Sequence, residues 1–327
     1  MTMSDADSLS ALEFGRGLPA ISHEEFLAFQ KLIQDSSGIY LSSAKKALLV
    51  GRLNRRIRQL GLGNFRSYYR YVRDNPDELG QMLTQISTNE THFFREPRHF
   101  EFLRNSVFPR WLWQADHGER PRQIRVWSTA CSSGEEPYSI AMLLMEKFPP
   151  LSGWEWTVMA TDISLRMLDK ARSALWPIEK AAEIPEKYLK AFMLKGTDRQ
   201  MGSMKAGPEL RARLFFQYLN LNDKTYPLTG RFDLIFCRNV LIYFGAQTKA
   251  QVIDKISDYL SPAGLLFLGH AEGLCGVSSR LTSVVPTVYT LAAANTHKPN
   301  ISSSEEYPCC STSDSLMKFS AGRRRAV

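Results

Sequence analysis

Apolar residues in the first ninety positions recur at the spacing of α-helices. Ser22 and Glu25 have the spacing of a capping box, in front of apolar residues on one helix face at Phe26, Phe29 and Ile33. Gly38 should end this helix. Three further helices are predicted over Ser43–Leu60, around Tyr68–Val72 and after Pro76. The pattern therefore predicts a small all-helical domain over residues 21–90.

Beyond residue 120 the pattern changes to short apolar runs that alternate with helical segments. The runs are typical of buried strands and cover Ile124–Trp127, Thr157–Ala160, Arg213–Tyr218, Phe232–Cys237, Leu265–Leu268 and Thr287–Leu291. Strands that alternate with helices predict an α/β fold with a mainly parallel sheet. Ligands of such sheets bind at the carboxyl ends of the strands.

Three segments depart from this alternation. Residues 193–208 contain three glycines among mixed polar residues, which predicts a hairpin-like insertion in a domain covering residues 91–293. Residues 1–20 and 294–327 are polar and aperiodic, and we expect a disordered N-terminus and a disordered tail.

Composition narrows the class of protein. Of the 327 residues, 44% are hydrophobic and 23% charged, as in soluble globular proteins. No apolar run reaches the roughly 18 residues of a membrane span, and the N-terminus lacks the pattern of a signal peptide, so we expect a cytoplasmic protein without membrane insertion. The five cysteines lack metal-binding spacing, which predicts free thiols and no metal site.

The formal charge of +8 is concentrated in one segment. The segment from Lys45 to Arg73 has nine basic residues and no acidic residue. The basic residues are Lys45, Lys46, Arg52, Arg55, Arg56, Arg58, Arg66, Arg70 and Arg73. Such a surface attracts an acidic partner. A solvated helix face is an equally good explanation from charge alone, and nucleic acid is a third.

The strand Ile124–Trp127 runs into a cluster of small residues, Ser128–Gly134, followed by two glutamates and a proline. This order predicts a strand, a tight turn and a helix start that together bind a ligand. Glu135 and Glu136 disfavour phosphate and suit a ligand that carries hydroxyl or ammonium groups.

Asp162 ends the next strand, at the position where nucleoside-binding α/β folds bind ribose hydroxyls. An alternative is that Asp162 only caps the following helix, Leu165–Ala174. Upstream, Asn89, Thr91 and Arg95 occupy alternating positions and would share a side of an extended segment. On its own, that segment is better explained as a polar linker between domains.

Four motifs together resemble the CheR family of chemotaxis receptor methyltransferases: STNETHFFRE, VWSTACSSGEEPYSIAMLL, ATDIS and FDLIFCRNVLIYF. The resemblance extends from Ser22 to Leu291. It implies a class I S-adenosylmethionine-dependent methyltransferase sheet, mostly parallel with an antiparallel last strand, plus the helical domain and a small β-subdomain. The small-residue turn differs from the GxGxG of most class I enzymes but matches this family's own form.

The resemblance also implies site residues, and it replaces the linker interpretation. It assigns cofactor contacts to Asn89, Thr91, Arg95, Glu136 and Asp162, adenine contacts to Asn220 and Leu221, and the pocket wall to Arg238 and Asn239. Tyr243 is expected near the transferring methyl, with Arg95 and Tyr243 as the catalytic pair. Glu136 is favoured over Glu135.

The implied activity is protein-glutamate O-methylation of chemoreceptor cytoplasmic helical bundles, with S-adenosylhomocysteine as product. The basic segment Lys45–Arg73 is then expected to dock the acidic receptor, and the β-subdomain is a candidate site for a receptor C-terminal tether peptide. Two rivals are an RNA or small-molecule methyltransferase, which Tyr68, Tyr69 and Tyr71 favour weakly, and a catalytically idle receptor-binding module. The resemblance disfavours nucleic acid as a partner.

Overall fold

The computed structural model describes residues 19–274 and 278–292. The predicted disordered segments, 1–20 and 294–327, lie outside these residues except for Pro19 and Ala20. Of the described helices, none combines the length and the apolar character needed to cross a membrane.

Four helices form the N-terminal domain: α1 (His23–Ser37), α2 (Lys46–Gln59), α3 (Phe65–Asp74) and α4 (Pro76–Ile86). The predicted capping box is present, because the Glu25 amide donates to Ser22 Oγ at 3.1 Å and the Ser22 amide donates to Glu25 Oε2 at 2.8 Å. Gly38 ends α1 in the left-handed conformation, with φ of 73°. Phe29, fully buried, stacks on Tyr68 and holds α1 against α3.

The remaining helices surround the sheets. They are α5 (Pro97–Phe102), α6 (Phe108–Asp116), α7 (Glu135–Lys147), α8 (Leu165–Ser173), α9 (Glu186–Phe192), α10 (Pro208–Arg211) and α11 (Ala246–Asp258). A π-helical turn at Leu103–Val107 joins α5 to α6. Most side chains of α7 are buried, since this helix lies in the main core between the sheet and the small β-subdomain.

The main sheet has seven strands in the order β6-β2-β1-β7-β8-β10-β9. Their bounds are β1 (Gln123–Ser128), β2 (Glu155–Asp162), β6 (Leu214–Tyr218), β7 (Phe232–Cys237), β8 (Leu260–Leu268), β9 (Leu281–Val285) and β10 (Val288–Leu291). The first five in spatial order are parallel, and β10 is antiparallel to both β8 and β9. The predicted fold class is thus confirmed, although the sequence pattern missed β9.

A second, antiparallel sheet has the order β3-β5-β4, formed by β3 (Leu175–Pro177), β4 (Met193–Lys195) and β5 (Ser203–Ala206). The hairpin of β4 and β5 falls inside the predicted insertion at 193–208. Strand β3 begins 18 residues earlier than that range and pairs with β5. Three residues are too few to show an alternating pattern, which explains why the sequence did not indicate β3.

The helical domain lies against the carboxyl ends of the parallel strands. Ile39 forms an antiparallel bridge with Phe244, and the Tyr40 amide donates to the Tyr243 carbonyl at 2.8 Å. The Asn220 side chain donates from Nδ2 to the Ser36 carbonyl at 2.7 Å. These contacts close one side of a cleft at the edge of the sheet where ligands of α/β folds bind.

Candidate active site

A cavity lies between the helical domain and the carboxyl ends of β1, β2 and β7. All ten residues predicted for the site line it, namely Asn89, Thr91, Arg95, Glu136, Asp162, Asn220, Leu221, Arg238, Asn239 and Tyr243. They come from five separated stretches of the chain. The fold therefore brings together the candidate residues of every motif at one place.

The turn between β1 and α7 forms the floor of the cavity. Gly134 has φ of 98°, and a Cβ at this position would lie 3.0 Å from Ala171 Cβ and 3.1 Å from Ala171 Cα. Only glycine fits this backbone without moving α8. The close packing brings the amide of Ser132 to Asp162 on the neighbouring loop.

Asp162 joins two loops through its carboxylate. Oδ2 accepts from the Ser132 amide and Oδ1 from the Ser164 amide, both at 2.8 Å. The N-cap of α8 is Ser164, whose side chain accepts from the Met167 amide, so the capping interpretation of Asp162 is wrong. Burial raises the pKa of Asp162, and the backbone amides oppose this. A carboxylate has about four acceptor positions, so capacity remains for hydroxyl donors in the cavity.

The two glutamates of the GEEPY stretch have different surroundings. Glu136 lines the cavity, accepts from Ser128 Oγ at 2.7 Å and pairs with Arg238 at 3.2 Å. Burial raises its pKa, and Arg238 counteracts part of that shift. Glu135 lies outside the cavity, fully buried, with Lys180 Nζ 2.8 Å from Oε1. Only Glu136 is therefore placed to contact a ligand.

Arg238 lines the cavity with a side chain that is almost fully buried. Its guanidinium pairs with Glu136 and Glu96, each at 3.2 Å, and donates to the Arg95 carbonyl. Burial favours the neutral form of Glu96, but Arg238 and neighbouring groups outweigh it and hold the pKa of Glu96 below its usual range. The charge of Arg238 is thus already engaged by protein groups, and its contact with the cofactor stays a prediction.

The Asn89–Arg95 segment is part of the site and does not behave as a simple extended strand. Phe94 and Glu96 have φ of 51° and 57°, which turns the chain on both sides of Arg95. The segment is therefore not extended from Thr91 to Arg95 as predicted, because these left-handed residues turn the chain. Asn89, Thr91 and Arg95 nevertheless all line the cavity. Arg95 Nη1 donates to the Glu90 carbonyl at 3.2 Å, and the turn directs the side chain to the cavity.

The β-subdomain supports the same segment, which the sequence did not indicate. Lys180 Nζ donates to the Thr91 carbonyl at 3.0 Å while it pairs with Glu135. Glu183 accepts from the Phe93 amide at 2.9 Å, and Trp176 Nε1 donates to the Ser133 carbonyl at 3.2 Å. Both the Asn89–Arg95 segment and the turn after β1 thus contact β3 and the turn that follows it. No motif or periodicity in the sequence pointed to these contacts.

Asn220 has protein partners on both ends of its amide. Nδ2 donates to Ser36 and Oδ1 accepts from the Asn222 amide at 3.0 Å. The apolar side chains of Ile163, Leu219 and Leu221 line the cavity beside it. Contacts of Asn220 and Leu221 with adenine stay predictions, for which these apolar groups offer a suitable surface.

Tyr243 is in the turn that follows β7. Asn239 begins this segment with φ of 58°, and a 3₁₀ turn covers Leu241–Tyr243. The Tyr243 ring is half-buried at the mouth of the cavity, with Lys45 Nζ 5.7 Å from its centroid. Lys45, the first residue of the basic segment, is therefore a neighbour of the predicted catalytic tyrosine.

The basic segment Lys45–Arg73 is less uniform than its sequence indicates. Arg56 forms a two-point pair with the buried Glu78, at 2.9 and 2.5 Å, and Tyr68 donates to the same carboxylate. Arg52 donates to the carbonyls of Ile86 and Ser87 at the end of α4. These two arginines hold the helical domain together. The exposed basic residues are Arg55, Arg58, Arg66, Arg70 and Arg73.

Comparisons with known proteins agree with this architecture. Residues 24–87 match the family model described as "CheR methyltransferase, all-alpha domain", and residues 89–290 match "CheR methyltransferase, SAM binding domain". Chemotaxis protein methyltransferases of Escherichia coli and Borreliella burgdorferi are 37% and 36% identical, over 84% and 82% of this chain and 92% and 94% of those proteins. Chemotaxis protein methyltransferase 2 of Pseudomonas aeruginosa is 36% identical over 83% of this chain and 94% of its own length.

The cavity fits the cofactor that this family binds, S-adenosylmethionine. Two carboxylates, Glu136 and Asp162, provide acceptors for ammonium and hydroxyl groups, and Arg95 provides a cation for a carboxylate. Among the residues that the structure describes, no cluster of His, Cys, Asp and Glu could hold a metal ion. The matched domains cover most of the chain, in the order and at the positions of the two structural domains, and the chain belongs to the CheR family of S-adenosylmethionine-dependent methyltransferases.

Proposed function

We propose that this protein transfers the methyl group of S-adenosylmethionine to glutamate side chains on the cytoplasmic domains of chemoreceptors. The proposal depends on the residues that meet at the mouth of the cavity. There the Tyr243 ring lies 5.7 Å from Lys45 Nζ, where the basic segment begins, and Arg95 lines the same cavity. An acidic helix docked on that segment could present a carboxylate to both residues. The similar proteins of Escherichia coli and Borreliella burgdorferi are named chemotaxis protein methyltransferases, which supports this choice of substrate.

The bound cofactor supplies an electrophilic methyl group on a positively charged sulfur. A glutamate with a pKa of about 4.3 is already ionised at neutral pH, so no side chain has to remove a proton from it. The protein has to align the carboxylate oxygen with the methyl carbon and exclude water. An arginine and a tyrosine at the mouth suit this task better than a proton-transfer pair would.

Arg95 has the better-defined role of the two. Its carbonyl accepts from Arg238 and its guanidinium donates to Glu90, so the residue is held from both its backbone and its side chain. A guanidinium binds a carboxylate through paired hydrogen bonds, and we propose that Arg95 orients the carboxylate of the substrate or of the cofactor. Tyr243 then positions the sulfonium and the incoming oxygen through its hydroxyl group.

The docking surface in this proposal consists of Lys45, Lys46 and the exposed arginines of α2 and α3. Attraction between exposed charges is screened within about 10 Å at 0.1 M salt, so docking should weaken as salt increases. A second contact is proposed for the small sheet, whose edge strands are β3 and β4. An edge strand can add an extended peptide by backbone hydrogen bonds, which suits a tether segment at a receptor C-terminus.

Incubation with methyl-labelled S-adenosylmethionine tests the activity. The substrates are a panel of chemoreceptor cytoplasmic fragments, the same fragments with their acidic surface residues changed to amides, and bulk RNA. We expect label in the unmodified fragments only, released as volatile methanol by mild base, as esters require. Label in RNA, or no label despite cofactor binding, would overturn the proposal. Arg95→Ala serves as the inactive enzyme control.

A further inference from the structure

Glu272 is a fully buried carboxylate directly behind the segment that carries Tyr243. It follows β8 at the carboxyl edge of the sheet, and it does not line the cavity. No motif in the sequence indicated a role for it. Because burial of a charged group costs free energy unless its hydrogen bonds are satisfied, its contacts require an explanation.

Among the described residues, this carboxylate accepts three hydrogen bonds, and all three come from backbone amides. Oε2 accepts from Asn239 at 2.7 Å and from Gly269 at 2.8 Å, and Oε1 accepts from Ile242 at 3.2 Å. An ionised carboxylate only accepts hydrogen bonds, so it matches a site made entirely of donors. A neutral amide in its place would direct N–H groups at one or more of these donors.

These bonds link the end of β8 to both ends of one short segment. Asn239 has the left-handed φ of 58°, and Ile242 is inside the 3₁₀ turn that ends at Tyr243. The packing is tight, because a Cβ at Gly269 would lie 2.7 Å from both Glu272 Oε2 and Asn239 Nδ2. A left-handed asparagine next to a short turn needs such external support to keep one conformation.

The helical domain holds the same segment from the other side. The Tyr40 amide donates to the Tyr243 carbonyl at 2.8 Å. Glu272 therefore fixes the start of the turn, Tyr40 fixes its end, and the half-buried Tyr243 ring projects between them into the mouth of the cavity. We propose that Glu272 is a positioning residue that sets the place of Tyr243 for methyl transfer. This inference rests on the proposed function through the role given to Tyr243.

Glu272→Gln is the test variant, because it keeps the shape and removes one acceptor. A misplacement of about 1 Å can cost up to about 10²-fold in rate, and we expect kcat to fall at least about tenfold. The dissociation constant for S-adenosylhomocysteine should stay within about twofold, since Asp162 and Glu136 keep their contacts. Both proteins are compared at equal folded fraction, measured by circular dichroism.

Asp233→Asn is the matched control. Asp233 lies at the opposite end of β7, where Oδ2 accepts from the Arg125 amide at 2.8 Å and Oδ1 pairs with Arg120 at 2.6 Å. It is expected to lower thermal stability without lowering kcat of the folded protein. If Asp233→Asn lowers kcat as much as Glu272→Gln, the effect is general destabilisation and the inference is wrong.

A double-mutant cycle with Tyr243→Phe separates this inference from the proposed function. If Glu272 acts through the tyrosine hydroxyl, Glu272→Gln should lower kcat less than about twofold in the Tyr243→Phe background. An equal loss in both backgrounds would overturn the inference. If Tyr243→Phe alone keeps wild-type turnover, the role of Tyr243 in the proposed function fails instead. Should Glu272→Gln not fold, Glu272→Asp, which retains the charge but withdraws from Ile242, enters the same cycle with the same criteria.

Discussion

The two sides of the cavity differ in how completely their polar groups are engaged. On the cofactor side, Asp162 and Glu136 are shielded from solvent and each holds two hydrogen-bonded or ionic partners. At the mouth, the direct neighbours of Tyr243 are open to solvent, since Tyr40 and Ile242 are 48% and 50% exposed. Within the described part of the chain, the Lys45 ammonium has no carboxylate within 4 Å and lies only near the Tyr243 ring.

This difference follows from what each side has to bind. The cofactor is the same molecule in every turnover, so a rigid and prebuilt set of acceptors reduces the entropy lost on binding. Under the proposed function, the substrate side has to accept a protein segment, whose own charged groups can complete the site. Changes on the cofactor side should therefore alter affinity for the cofactor, whereas changes at the mouth should alter turnover or affinity for the receptor.

The largest effect is expected from Arg95→Ala, at the boundary between the two sides. Loss of a guanidinium that orients a reacting carboxylate should lower kcat by about 10²-fold or more. Arg95→Lys keeps the charge but not the paired hydrogen bonds, and should recover only part of this loss. Initial rates with labelled cofactor and a receptor fragment measure both variants. Wild-type turnover in Arg95→Ala with cofactor bound would contradict the assignment.

Asp162→Asn tests the cofactor side alone. It replaces the charged acceptor that we propose for the hydroxyl groups of the cofactor with an amide, and hydrogen bonds to charged groups contribute about 1.5–3 kcal/mol. We expect the dissociation constant for S-adenosylhomocysteine to increase at least about tenfold, as measured by calorimetric titration, with the KM for receptor nearly unchanged. If the KM for receptor increased as much as the dissociation constant for S-adenosylhomocysteine, the two sides of the cavity would not bind their ligands independently.

Cofactor affinity should also depend on pH. Burial raises the pKa values of Asp162 and Glu136 above their ordinary range, and a positively charged cofactor prefers their ionised forms. As pH falls through these raised pKa values, binding has to displace protons, so affinity should weaken already above the ordinary carboxyl pKa of about 4. Titrations from neutral to mildly acidic pH measure the effect, and Asp162→Asn should show a shallower dependence. A flat profile in the wild type would contradict the prediction.

The smallest effect is expected from Arg55→Glu on the basic segment. Arg55 is exposed, so charge reversal should raise the KM for a receptor fragment by about threefold at low salt and less at high salt, without unfolding the domain. Arg56→Glu is not an equivalent test, because it places a second carboxylate beside the buried Glu78 and should destabilise the helical domain. Thermal melts of both variants distinguish docking from stability. If the KM of Arg55→Glu for the receptor fragment equals that of the wild type at low salt, docking on the basic segment loses its support.

Local signals in the sequence predicted much of this molecule. The capping box at Ser22 and Glu25 and the glycine stop at Gly38 depend on neighbours within a few residues, so the sequence alone identified them. The resemblance to a known family placed ten residues at one cavity, and all ten line it. Periodicity could not show β3, because three residues carry no alternation.

Other features depend on contacts between distant parts of the chain. Glu135 and Glu136 are adjacent in sequence, yet one pairs with Lys180 in the small β-subdomain and the other with Arg238 after β7. Likewise, Glu272 receives its amides from residues that precede it by up to 33 positions. No periodicity or local motif encodes such partners, and only the folded chain reveals them.

In the proposed function, receptor glutamates are methylated at the open side of the cavity. Tandem mass spectrometry of a receptor fragment after turnover locates the transferred methyl group directly. We expect a methyl ester on glutamate side chains of exposed helix surfaces, absent when those glutamates are changed to alanine. A methyl group on lysine, on a cysteine or on a nucleic acid would contradict it.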